Sequence, residues 1–214
     1  IFTIVELMRS TKARVHLCRL SSAAGLALVR AAKAEGLPLS CDVSINSLHL
    51  ADTDIGYFDS RARLSPPLRQ QGDRDALSAA LADGTIDALV SDHTPVEADA
   101  KNLPFAESEP GATGLELLLP LALQWGERSG AGLARALETI TSAPARLLPA
   151  TEACAGIGRL AVGGPADLCV FDPALEWQVT PEALRSQGKY TPFASYPMQG
   201  RARHTLVAGR VVHG

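Results

Sequence analysis

The strongest constraint in this sequence is the alternation of short apolar runs with helical patterns. Residues 13–20, 39–43 and 86–92 are strand-like, and residues 62–69 add an extended piece stopped by two prolines. Amphipathic helical patterns cover residues 23–35 and 73–82 between these runs. Strands that alternate with helices in this way predict an α/β fold with a parallel sheet covered by helices. Four such strands predict half of an eight-stranded barrel or a small open sheet, because a complete barrel takes about 250 residues.

The second half of the chain continues with helices and then changes pattern. A helical segment at 114–130 contains Pro120, which predicts a kink or the start of a second helix there, and another helix and a short one follow. Beyond residue 155 the chain has Gly/Pro turns and strand-like runs, with a turn at Ala208–Gly209 and one short possible helix at 181–185. The sequence therefore predicts an α/β unit over residues 1–150 and a β-rich unit over 151–214.

Composition narrows the class of protein. A net charge of −3 and the lack of a Lys/Arg cluster argue against a nucleic-acid partner. No apolar run reaches the ~18–20 residues of a membrane span, and no signal peptide is recognisable. The four cysteines form no C-x-x-C pair, and Cys18, Cys41 and Cys169 lie in apolar runs where buried thiols are expected. These features predict a reduced cytoplasmic protein.

The candidate chemistry lies where strand-like runs end. In "CDVSINSLHL", residues 41–50, a strand leads into Asn46, Ser47 and His49. Catalytic groups of α/β proteins usually sit at the carboxyl ends of parallel strands. His49 is expected to face solvent or to cap the helix that follows.

Several strings, in order, resemble the dihydroorotase family of the amidohydrolase superfamily. They include "VHLCRLSSA", "CDVSINSLHL", "RLSPPLR", "DRDALSAALADGTID", "SDHTP", "PGATGLELLLPLAL" and "SAPARLL". The resemblance implies strands five to eight of a (β/α)8 barrel and the C-terminal part of a small β-sandwich. The first half, with a His-x-His pair and a carboxylated lysine bridging two zinc ions, is then an expected partner of this chain.

The resemblance also assigns the metal positions. Arg19 and Asn46 stand where the family has histidine ligands, and Asp92 matches the aspartate that ligates metal and shuttles a proton. A guanidinium has no lone pair to offer, and a neutral amide is a weak zinc ligand. No zinc is therefore predicted to bind at Arg19, Asn46 and Asp92. Asp92 could instead bond backbone amides or Arg19.

The substrate positions are also altered. By the resemblance, Ser65 replaces an asparagine that touches substrate, and Val96 replaces a histidine that binds the substrate carboxylate. His93 is retained, and the loop 110–116 is interpreted as a helix start without chemistry.

These substitutions predict a non-catalytic dihydroorotase-like protein of pyrimidine biosynthesis. By the resemblance, such proteins are structural partners of the aspartate transcarbamoylase catalytic chain. The alternative is an active dihydroorotase or cyclic amidohydrolase, converting carbamoyl-aspartate to dihydroorotate with an altered zinc site. A third possibility is a binding module in which Arg19 and His93 hold an anionic metabolite.

A half barrel has a consequence for stability. Its outer strands would leave unpaired N–H and C=O groups. Val15, Leu17, Val43 and Leu89 are expected on the inner face, without the opposite wall of the barrel. Residues 1–214 are therefore predicted not to form a stable monomer alone.

Overall fold

The computed structural model of the chain describes residues 1–151 and 154–214. Glu152 and Ala153, beside the predicted boundary between the two units, lie outside the described residues. Short 3₁₀ turns cover Asp52–Ile55, Ser60–Ala62 and Leu115–Leu117. In chain order the helices and strands are α1 (Phe2–Thr11), β1 (Val15–Leu17), α2 (Ala23–Ala34), β2 (Leu39–Ser44), α3 (Ile45–His49), α4 (Gln71–Ala82), β3 (Ala88–Val90), α5 (Ala98–Lys101), α6 (Leu118–Arg128), α7 (Gly132–Ile140), α8 (Ser142–Leu147), β4 (Leu168–Gln178), β5 (Pro197–Val207) and β6 (Arg210–His213).

The first sheet is parallel, as the alternating pattern predicted. Its strand order is β1-β2-β3, with Leu17 opposite Cys41 and Val43 opposite Leu89. The fourth predicted strand is wrong, since residues 62–69 form no strand and β2 pairs directly with β3. Pro66 and Pro67 lack the amide hydrogen that a sheet ladder needs, so this segment packs as a loop.

The helices between the strands follow local signals. The Ser22 hydroxyl accepts a hydrogen bond from the Gly25 amide at 3.2 Å and caps α2. Helix α4 ends beside Gly84, whose φ of 83° lies in the left-handed region that closes many helices. Pro120 lies in the first turn of α6, where its missing N–H leaves no bond unmade. Of the two predictions for Pro120, the start of a second helical piece is the one observed.

The two faces of the parallel sheet differ in chemistry. Neighbouring residues of a strand point to opposite faces. One face, here called the helix-packed face, carries Val15, Leu17, Cys41, Val43 and Leu89, which join the hydrophobic core against the helices. Their predicted place on an uncovered inner face was therefore wrong. Strand residues alternate between the two faces, but this period does not tell which face is buried. The helices that pack on one side of the sheet determine the buried face.

The opposite face of the sheet, here called the polar face, carries His16, Ser40 and Asp42. Cys18 follows β1 on the same side, because its sulfur lies close to His16 and Asp42. Cys18 and Cys169 are exposed, contrary to the prediction, whereas Cys41 is buried. On this face Asp42 is buried and His16 and Cys18 are exposed, and exposing these two residues costs less free energy than the apolar face assumed from the sequence.

The second sheet is antiparallel, with strand order β4-β5-β6. The predicted turn at Ala208–Gly209 is confirmed, and the possible helix at 181–185 is wrong, because those residues form turns. Gly200 of β5 has a φ of 98°, and a Cβ there would lie 2.4 Å from Leu123 of α6. This close approach packs the second sheet against the α/β unit. Within the described residues, no helix is long and apolar enough to cross a membrane.

Candidate functional site

Backbone strain marks the strand ends where the sequence placed the site. Arg19 follows β1 and Asp92 follows β3, with φ angles of 57° and 49°. Non-glycine residues rarely adopt the left-handed region, and such residues concentrate at functional sites. The two side chains, 73 positions apart in the sequence, also meet here.

Arg19 is bound on three sides. Its backbone N–H donates to Asp42 Oδ1 at 2.7 Å, and its Nη1 donates to the Ser65 carbonyl oxygen at 2.7 Å. The same Nη1 lies 3.3 Å from Asp92 Oδ1. The Asp92 side chain is only 11% exposed, whereas that of Arg19 is 42% exposed. The permanently charged guanidinium of Arg19 therefore contacts the Asp92 carboxylate. Of the two partners predicted for Asp92, backbone amides or Arg19, the structure shows Arg19.

Asn46 lies in α3, directly after β2. It is buried, and its backbone N–H donates to the Ser44 hydroxyl at 3.1 Å. In the part of the chain that the structure describes, no hydrogen bond joins the Asn46 side-chain amide to Arg19 or Asp92. The arginine and the aspartate are thus in contact, and the asparagine does not share their bonds.

His93 points into a backbone turn. Its Nδ1 accepts hydrogen bonds from the Gly114 and Leu115 amides at 3.1 and 3.2 Å. Accepting at Nδ1 requires that this nitrogen carry no proton. Arg19 and His93 are therefore engaged by different groups, and no hydrogen bond joins their side chains within the described residues.

Val96 packs beside Gly111. It is buried, and a Cβ added at Gly111 would lie 2.8 Å from its Cγ2. Ser65 contributes its backbone carbonyl to Arg19. Neither of these two residues offers an ionic group that would bind a carboxylate.

His49 lies away from these residues, and the expectation that it faces solvent or caps a helix was wrong. Its Nε2 donates to the Leu121 carbonyl at 3.0 Å, and its ring contacts Phe193 edge to face. Burial lowers the pKa of His49 to about 4, with the Arg128 charge adding to the effect. The uncharged ring is a packing element between α3 and α6.

Sequence reasoning missed a cluster on the polar face. His16 Nε2 lies 2.8 Å from Asp42 Oδ2, and His16 Nδ1 lies 2.8 Å from the Ser40 hydroxyl. The Cys18 sulfur, a His16 ring nitrogen and an Asp42 oxygen all lie within 4.8 Å of one another. The available signal was the spacing His16-x-Cys18 on a strand, which places both side chains on one face.

Lys101 was missed as well. It is 1% exposed, and its Nζ donates to the Ser60 and Arg63 carbonyls at 3.0 and 3.1 Å. Burial lowers the pKa of Lys101 to about 8. Lys101 ties the loop that follows β3 to the loop that precedes α4.

These features define an α/β protein with polar and strained residues at the carboxyl ends of parallel strands. A model of the amidohydrolase family matches residues 5–213, and the chain belongs to that family. It is 42% identical over 207 residues to the dihydroorotase-like protein of Pseudomonas aeruginosa, covering 97% of this chain and 48% of the relative. It is 37% identical over 209 residues to the dihydroorotase of Geobacter sp. strain M21, with 98% and 48% covered. The predicted dihydroorotase-family resemblance is confirmed at this level.

Solved structures agree on the fold. The D-hydantoinase (dihydropyrimidinase) from Thermus sp. matches with a TM-score of 0.89 and 27% identity, over 99% of this chain and 47% of that one. The L-hydantoinase from Arthrobacter aurescens matches with a TM-score of 0.87 and 28% identity, over 98% and 47%. The chain spans about half the length of the relatives and structures it matches.

The described residues at the strand ends do not fit the zinc that active dihydroorotases use. The Arg19 guanidinium cannot ligate a metal, and it lies within 3.3 Å of the Asp92 carboxylate. A cation of charge +2 at Asp92 would be repelled by this fixed positive charge. We therefore derive no catalytic step through a metal at Asp92.

Proposed function

We propose that this chain is the second half of a dihydroorotase-like protein of pyrimidine biosynthesis whose amidohydrolase site no longer catalyses. The observation that carries the proposal is the contact of the Arg19 guanidinium with Asp92. Asp92, the carboxylate that would transfer a proton during ring closure, is paired with the Arg19 guanidinium, which stays protonated. A proton shuttle must be able to contact the reacting group, and here the guanidinium occupies one oxygen of the carboxylate.

Displacing Arg19 would not be simple. The side chain bonds the Ser65 carbonyl as well as Asp92, and its backbone N–H is held by the carboxylate of Asp42. A metal ion bound at Asp92 Oδ1 would have to replace the guanidinium contact at that oxygen.

The finer fold is also part of the proposal. The three parallel strands leave β1 and β3 as outer strands of their sheet. Outer strands expose unpaired backbone groups. Relatives about twice as long as this chain support a barrel in which a further half covers those edges and closes the (β/α)8 wall.

The proposed partner is the aspartate transcarbamoylase catalytic chain. The family resemblance supports it, because non-catalytic dihydroorotase-like proteins assemble with that enzyme. On this proposal the barrel is retained for its surface and stabilises the active assembly of its partner.

A second candidate is an active dihydroorotase or cyclic amidohydrolase with an altered metal site. The observation that favours it is the left-handed backbone kept at Arg19 and Asp92, since strained residues persist mainly where function requires them. Relatives named dihydroorotase also match the chain.

The test uses the protein as its gene encodes it, with Asp92→Asn and Asp99→Asn variants. Asp99 is an exposed carboxylate of α5 and serves as the matched control. Conversion between carbamoyl-aspartate and dihydroorotate is measured in both directions, and sedimentation with the aspartate transcarbamoylase catalytic chain measures assembly. We expect no turnover above the blank in any of the three proteins and a stable complex with all of them.

Two results would overturn the proposal. Turnover that is lost in Asp92→Asn and kept in Asp99→Asn would establish the active enzyme. A protein that sediments separately from the transcarbamoylase chain at micromolar concentrations would remove the structural partnership.

A further inference from the structure

We propose that His16, Cys18 and Asp42 form a zinc-binding site on the polar face of the parallel sheet, separate from the Arg19–Asp92 pair. Their potential ligand atoms are a ring nitrogen, a sulfur and a carboxylate oxygen, all within 4.8 Å of one another. Imidazole, thiolate and carboxylate are the ligand types that bind zinc in proteins. Three protein ligands leave the fourth tetrahedral position for water or a small anion.

Sheet geometry brings the three residues together. His16 and Cys18 are two positions apart, and Asp42 lies on β2, which pairs with β1 in parallel. Ligand atoms of a tetrahedral zinc site lie about 3.3–3.8 Å apart, given metal–ligand distances of about 2.0–2.3 Å. A side-chain rotation closes a 4.8 Å gap to that range, and His16 and Asp42 separate by about half an ångström from their 2.8 Å contact.

The groups around the cluster already orient two of the ligands. Ser40 Oγ lies 2.8 Å from His16 Nδ1 and can accept the Nδ1 proton while Nε2 binds the metal. The Arg19 N–H holds Asp42 Oδ1 at 2.7 Å, which leaves Oδ2 beside His16 Nε2. The zinc ion would lie between these two atoms in place of their direct 2.8 Å contact.

The two cysteines of the parallel sheet differ in their suitability. Cys41 is buried on the helix-packed face, where burial raises the pKa of its thiol to about 11. Cys18 lies on the polar face, where its sulfur is within reach of the same ion as His16 and Asp42. One thiolate and one carboxylate then balance the charge of the ion.

The simpler reading is a hydrogen bond between His16 and Asp42 that only holds two strands together. Titration with Co²⁺ separates the two readings, because a cobalt–thiolate bond gives a charge-transfer band in the near ultraviolet. The chelator-treated protein, as its gene encodes it, is titrated with Co²⁺, and Zn²⁺ is then added as competitor. We expect one equivalent of the band, displaced by Zn²⁺.

The variants decide which residues carry the band. Cys18→Ser should abolish it, while Cys169→Ser, which removes another exposed thiol, and Asp92→Asn should keep it. Ser40→Ala should weaken metal binding by about tenfold or more, since it removes the group that orients His16. Thermal unfolding of each metal-free variant checks that the fold is intact. A variant of the buried Asp42 could fail to fold, so the test rests on Cys18→Ser, whose side chain is exposed.

A protein without the band, or a band unchanged in Cys18→Ser, would overturn the proposal. Zinc binding at Cys18 is independent of the proposed loss of catalysis, because it leaves the contact between Arg19 and Asp92 in place. A bound zinc ion at Cys18 therefore does not by itself indicate dihydroorotase activity.

Discussion

The helix-packed face and the polar face belong to the same three-stranded sheet but have different roles. On the helix-packed face, Cys41, Val43 and Leu89 are at most 2% exposed. On the polar face, His16, Ser40 and Asp42 are joined by hydrogen bonds. Stability rests on the first face, so residues at the strand ends can change without unfolding the sheet. Substitutions of the kind predicted at Arg19 and Asn46 are thus compatible with the fold.

The largest effect should come from the helix-packed face. Leu89→Ala removes a buried side chain from the core and should lower the free energy of unfolding by about 3 kcal/mol. Ser40→Ala, on the polar face, loses one hydrogen bond and should cost about 1 kcal/mol. Urea unfolding of both variants measures the difference. Equal losses would show that the two faces share the stability more evenly than their burial indicates.

A pH-dependent loss of unfolding free energy, nearly as large as that of Leu89→Ala, is expected from His49, which packs against α6 and Phe193. Its folded pKa of about 4 is below the ordinary value of 6.5, so the unfolded chain binds a proton that the folded protein excludes. Stability should therefore fall as the pH drops from about 6.5 to about 4, by roughly 2–3 kcal/mol from this group.

The control for His49 is His49→Gln, whose amide can still donate to the Leu121 carbonyl. The difference in unfolding free energy between the two proteins, measured from pH 7 to pH 4, isolates the histidine from the carboxylates. A difference that stays constant with pH would contradict the assigned shift.

The Arg19 contact should contribute less to stability. Arg19→Met removes a half-exposed cation from Asp92 and should cost about 1 kcal/mol, because the carboxylate is mostly buried. Arg30→Met breaks the pair with Asp83, in which both side chains are exposed, and should cost about half as much or less. Guanidinium denaturation would mask such charge effects, so urea is the denaturant of choice. A larger loss of unfolding free energy in Arg30→Met than in Arg19→Met would contradict the expectation that the more buried ion pair contributes more to stability.

The smallest effect is expected from restoring the visible family residues. Arg19→His, Asn46→His and Val96→His together should give no measurable cyclisation of carbamoyl-aspartate. The groups that orient each ligand would still be those of the present site, and the remaining zinc ligands of the family lie outside these residues. Turnover by a folded triple variant would show that the strand ends retain more of the catalytic geometry than the Arg19 contact indicates.

Local signals predicted much of the fold. The cap at Ser22, the end of α4 at Gly84 and the turn at Ala208–Gly209 all depend on residues within a few positions of one another. The predictions for residues 62–69, for His49 and for the face of Val43 were wrong. Each of them depends on which distant segment packs against the residue, and strand periodicity does not carry that information.

The sequence by itself determined the alternation of strands and helices and the family resemblance, and it predicted that Arg19, Asn46 and Val96 stand at histidine positions of the family. Only the tertiary structure placed the Arg19 guanidinium 3.3 Å from Asp92 and gathered His16, Cys18 and Asp42 on one face. The physical reason is sequence separation. Helix caps and turns are set by neighbours along the chain, whereas the His16–Asp42 and Arg19–Asp92 contacts span 26 and 73 positions. They form only when strand register and helix packing bring distant side chains into the same few ångströms.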